Sequence, residues 1–78
     1  MVDIEKRARH SAALLDNEHF IATLHNLREE QKTLFANTGA EEVERREECH
    51  AILRALNAIQ NSLQADVDAL EILMKQRD

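Results

Sequence analysis

Proline is absent from these 78 residues, and glycine occurs once, at Gly39. A chain with so few breakers has few places to end a helix. Tryptophan and tyrosine are absent too, and two phenylalanines are the only aromatics. Stacking platforms for nucleic-acid bases are therefore lacking. The net charge of −5 lacks the cationic excess that neutralises phosphate. On both counts the chain is poorly equipped for nucleic acid. Its one cysteine, Cys49, cannot close an intramolecular disulfide and fits a reducing compartment. No run approaches the ~20 apolar residues of a membrane span. The first ten residues, MVDIEKRARH, are charged where a secretory leader would be apolar. A cytoplasmic location is the expectation.

What is present favours helix. Charged residues make up 32% of the chain, and alanine and leucine lead its apolar set. One all-α domain over residues 1–78 is expected. A chain this short buries only about 60% of its unfolded surface. Without a disulfide, the remaining remedies are metal or association.

Three helical segments follow from spacing: about 3–15, 17–35 and 40–76, with a turn at 36–40. In the first, Asp3 and Glu5 suit the positive end of the helix dipole. Ile4, Ala8, Ser11, Ala12 and Leu15 make a single stripe. Asp16 reads as an N-cap, with Leu15 and Phe20 as a hydrophobic staple. A kink or restart there is expected, against the rival of one continuous helix. The second segment places Phe20, Leu24, Leu27, Gln31 and Leu34 at alternating steps of four and three, a heptad seam. Gln31 reads as a seam end near solvent, against a register-setting polar contact. Thr38 and Glu41 have capping-box spacing, and Asn37 and Gly39 are turn formers. So short a turn makes its helices antiparallel neighbours.

The third segment would reach roughly 55 Å. Its seam runs Cys49, Ile52, Leu56, Ile59, Leu63, Asp66, Leu70 and Leu73. A carboxylate on a seam is costly unless paired. The expectation is that the seam drifts to Val67 there; the rival is a cation on the first helix, Arg7 or Arg9. Leu53, Val67 and Met74 form a second stripe, and Ala55, Ser62 and Ala69 a small-residue edge. The second helix covers the third only to about Asn57–Ile59, and the first cannot cover the rest alone. The expected fold is an antiparallel helical hairpin with a kinked N-terminal helix, assembling as a dimer or higher helical bundle. The expected interface residues are Ile52, Leu53, Ala55, Leu56, Ile59, Ser62, Leu63, Val67, Ala69, Leu70 and Met74.

Chemistry finds little support. Glu47-x-x-His50 and Asp16-x-x-His19 have the spacing used in di-iron bundles, but lie at opposite ends of the hairpin. A metal-binding bundle is the third-ranked reading, and the expectation is no metal and no cofactor. Cys49 and His50 are adjacent on a helix and point about 100° apart. Nearby glutamates would also raise the thiol pKa, so Cys49 reads as a small seam hydrophobe. Glu41–Arg45 and Glu42–Arg46 are expected as surface pairs. No phosphate loop, nucleophile elbow or zinc-finger spacing occurs. No catalytic residue is assigned, and no enzyme is expected.

The run Leu14-Leu15-Asp16, Phe20, Leu24, Thr38, Glu44-Arg45, His50, Ile52-Leu53, Ala55-Leu56, Ile59 and Leu63 carries a resemblance across about residues 12–66. It resembles small, largely uncharacterised helical proteins encoded by tailed bacteriophages and prophages near head and packaging genes. Those chains often carry a tryptophan before the threonine turn, where this one has Phe35. The resemblance implies a phage context, hence a bacterial host cytoplasm, and a non-enzymatic role. It carries over no site residues.

The leading expectation is an oligomeric helical protein acting through protein–protein contacts in phage assembly or packaging. The alternative is a small acidic regulator or inhibitor, a nucleic-acid mimic among the options, binding a basic host surface. Its binding tip would be Glu41, Glu42, Glu44, Glu47 and Glu48. Residues 29–48 hold seven glutamates against three cations, which is −4 of the net −5.

Overall fold

A computed structural model describes residues 3–77. Met1, Val2 and Asp78, which the expected domain includes, lie outside the described residues. Three helices account for 87% of the described chain, with no strand among the described residues. They are α1 (Ile4–Leu15), α2 (Glu18–Ala36) and α3 (Val43–Gln76).

Each start has a local cause. Asp3 caps α1, its Oδ1 accepting the Glu5 and Lys6 amides at 3.0 and 3.3 Å. These amides are among the donors that a first turn leaves unsatisfied. The break between α1 and α2 falls one residue later than its expected cap. Asn17, not Asp16, is the N-cap of α2, and its Oδ1 accepts the Phe20 amide at 2.9 Å. Asp16 instead closes α1, its N–H donating to Ala12 O at 2.9 Å. With Asn17 as cap, Leu15 and Phe20 no longer hold the staple positions.

The turn before α3 is also longer than expected, because the capping box does not form. The Thr38 hydroxyl donates back to Phe35 O at 2.7 Å, serving the open end of α2. It is therefore spent before α3 begins. Gly39–Glu42 closes a turn through Glu42 N to Gly39 O at 3.1 Å, and α3 starts at Val43 rather than near residue 40.

Both shorter helices pack on α3. The α2–α3 contact is held by Arg28, which donates to Asn57 Oδ1 at 3.0 Å and to Gln60 Oε1. The α1–α3 contact is held by Asp66. Its carboxylate accepts the Ser11 hydroxyl at 2.7 Å and pairs with Arg7 Nε at 3.1 Å. The expected drift of the seam to Val67 is thus overturned. Leu63 and Leu70 stay half-buried beside Asp66, so the seam keeps its seven-residue step. Val67 is half-buried as well, so the contact is wide enough to hold both residues. Two α1 side chains four residues apart share a helix face and satisfy the acid.

Laid end to end, the 12 residues of α1 and 19 of α2 nearly match the 34 of α3. The molecule is correspondingly long and thin, 57 × 23 × 21 Å. Its core is a line of Ala8, Leu24, Cys49 and Leu56, with Ser11 beside them. Among the described residues no large side chain is fully buried. Two layers of helix can cover only one side of each other.

Candidate functional site

The tip that joins α2 to α3 is built by Glu42. Its Oε1 accepts the Gly39 amide at 3.2 Å, and its Oε2 accepts Arg45 Nη1 at 3.1 Å. The Gly39 N–H, then Arg45, hold the Glu42 carboxyl below the usual glutamate range. The expected pairs Glu41–Arg45 and Glu42–Arg46 do not form. Glu41 precedes the helix, so it has no helical i,i+4 relation to Arg45. Arg46 donates instead to Ala40 O at 3.2 Å. Glu42 is therefore a structural member of the tip, whereas Glu41, Glu44, Glu47 and Glu48 are exposed.

The tip is not uniformly acidic. Phe35, Val43, Arg46, Glu47, His50, Ala51 and Arg54 line an open groove of about 520 Å³. Arg46, expected in a surface pair, is half-buried there, while Arg54 and His50 are exposed. Its neighbour Cys49 is a buried free thiol, so the two do not face each other. Asp16, His19, Glu47 and His50 are all exposed. Among the described residues, no three His, Cys, Asp or Glu side chains gather where they could hold a metal ion.

The expected interface residues divide in two. Leu56, at 8% exposed, belongs to the chain's own core. Leu53, Leu63, Val67 and Leu70 are half-buried. Ile52, Ala55, Ile59, Ser62, Ala69 and Met74 remain exposed, Ile59 at 46%. Leu27 and Leu34, assigned to the α2 seam, are exposed as well. Gln31 is half-buried in a hollow with Leu34 and Ile52.

The sequence reading missed part of the outer face of α3. Ala51, Ala58, Ala65 and Ile72 are exposed and lie seven apart, interleaved with Ala55, Ser62 and Ala69. The signal was present as a second heptad, hidden because alanine in a helix is ordinary. Among the described residues no helix is long and apolar enough to cross a membrane. No protein-family model, curated protein or solved structure matches the chain.

Proposed function

We propose that the chain is a non-enzymatic helical protein that works as an oligomer, through protein–protein contacts. Its three helices act as an antiparallel hairpin whose first arm is broken at Asp16–Asn17. The observation that carries this reading is uncovered apolar surface on a chain with a thin core. Ile52, Ile59, Leu27 and Leu34 are exposed while no large side chain is fully buried among the described residues. An apolar surface of this kind marks an interaction site more often than a bare exterior. The resemblance to phage-encoded helical proteins suggests phage assembly or packaging as the setting.

The test is Ile59→Glu. Ile59 is exposed within one chain, so a charge there leaves the helices intact. The expected result is loss of association with unchanged helical circular dichroism. Association that survives the charge removes Ile59 from the interface.

The exposed glutamates at the tip favour a second reading, an acidic surface for a basic partner. Changing Glu41, Glu44 and Glu48 to glutamine would then abolish capture of that partner without altering the oligomer. Undiminished capture excludes the tip.

A further inference from the structure

We infer that a second copy of this chain docks on the outer face of α3, antiparallel to it, with a dyad near Asn61. The inference rests on the oligomeric reading above and names its surface and orientation.

Ala51, Ala55, Ala58, Ser62, Ala65 and Ala69 step by four and three along α3, and all are exposed. At 100° per residue they lie roughly a third of a turn round the helix from the Cys49–Leu56–Leu63–Leu70 line. Neither α1 nor α2 covers them. Small side chains let a facing helix come close. Their spacing is the same read in either direction. In an antiparallel pair Ala51 meets the partner's Ala69, Ala55 the partner's Ala65, and Ala58 the partner's Ser62.

The flanking charges choose the occupant. One flank of this face reads Glu47, Arg54, Asn61, Asp68 and Lys75, seven apart, all exposed. Flanking positions of this kind set partner and orientation in packed helices. An antiparallel copy puts each flank against itself reversed. Glu47 then faces the partner's Lys75, Arg54 faces the partner's Asp68, and Asn61 faces the partner's Asn61. Every charge meets its opposite, twice over by symmetry. Among the described residues Arg54 makes no ion pair. Among the described residues Asp68 accepts only the Gln64 amide, on Oδ1 at 3.0 Å, which leaves its other carboxylate oxygen for a cation. A parallel copy would set the same charges against Ile52, Ile59 and Leu73 on the other flank, where none is matched. On that flank the antiparallel pair brings Ile59, 46% exposed, onto the partner's Ile59.

The test uses two full-length variants, Arg54→Glu and Asp68→Arg, followed by sedimentation alone and mixed. In each variant alone both flank contacts become like-charged. The self-association constant should fall about tenfold or more, as ~1.4 kcal/mol of lost complementarity requires. Mixed, Glu at 54 of one chain faces Arg at 68 of the other, and the native Asp68 faces the native Arg54. A mixed dimer should therefore form with close to wild-type affinity. A wild-type oligomer with unaffected variants, or variants that mixing does not rescue, overturns the α3 docking while leaving association intact. A wild-type monomer overturns the docking and the oligomeric reading together.

Discussion

Ser11 on α1 and Asp66 on α3 meet at 2.7 Å across 55 residues of sequence, at a contact where Ser11 is buried. The Asp66 carboxylate is 17% exposed, while its other partner, Arg7, is 55% exposed. The hydroxyl contact is therefore the sheltered one, and the ion pair is screened by solvent. Asp66→Ala leaves a buried hydroxyl without its acceptor and should cost about 1–3 kcal/mol in urea unfolding. Asp66→Asn keeps an acceptor for Ser11 and loses only the charge. It should cost less, and that cost should itself shrink as salt is raised. A penalty for Asp66→Asn that is the same at low and high salt contradicts a role for Arg7.

Arg28 makes the corresponding bond between α2 and α3, but its acceptors, Asn57 and Gln60, are uncharged. Arg28→Ala should cost about 1–2 kcal/mol. Unlike the loss at Asp66, this one should not depend on salt, because no charge pair is broken. Unfolding curves of Arg28→Ala at two ionic strengths check the contrast. A strong salt dependence would mean that Arg28 binds a carboxylate instead.

Gly39 is the chain's one glycine, yet its backbone does not need one. No described residue has positive φ, and a Cβ placed at Gly39 would meet its nearest atom, Glu41 Oε1, at an ordinary 3.5 Å. Gly39→Ala should fold normally and gain about 0.4–1 kcal/mol by restricting the unfolded chain. A lower melting temperature would show that the turn adopts another conformation.

Glu42 gives the tip a pH dependence. Its folded pKa lies below the ordinary 4.5, because the charged form accepts the Gly39 amide and pairs with Arg45. Folding is thus favoured by the ionised form. The contribution is complete above pH 4.5 and is lost as pH falls through the depressed folded value. Glu42→Gln should remove this part of the acid sensitivity and little else. Melting temperatures of the two proteins should converge as the solution is acidified below the usual glutamate range. Curves that stay parallel to the lowest pH remove Glu42 from the account.

Much of the fold could be read from residue spacing. All three helices lie within a few residues of their expected bounds, because apolar periodicity over 12 or more residues is a strong signal. The ends were less legible. Adjacent Asp16 and Asn17 are both good caps, and only the chain's path decides between them. Thr38 had two uses, closing α2 or opening α3, and local spacing does not rank them. Asp66 was misread for a related reason. A lone carboxylate on a seam looks like an error until Arg7 and Ser11 are known to stand opposite it. Of the exposed outer face of α3, Ala55, Ser62 and Ala69 belong to the expected interface, whereas Ala51, Ala58, Ala65 and Ile72 do not. Leu56 was included although the chain buries it itself.

Sedimentation equilibrium of the unmodified chain at micromolar concentration tests the central claim most directly. The account predicts a mass that rises with concentration from 9.0 kDa toward twice that value, as two copies associate. A mass that stays at 9.0 kDa throughout, with the helices intact by circular dichroism, contradicts it.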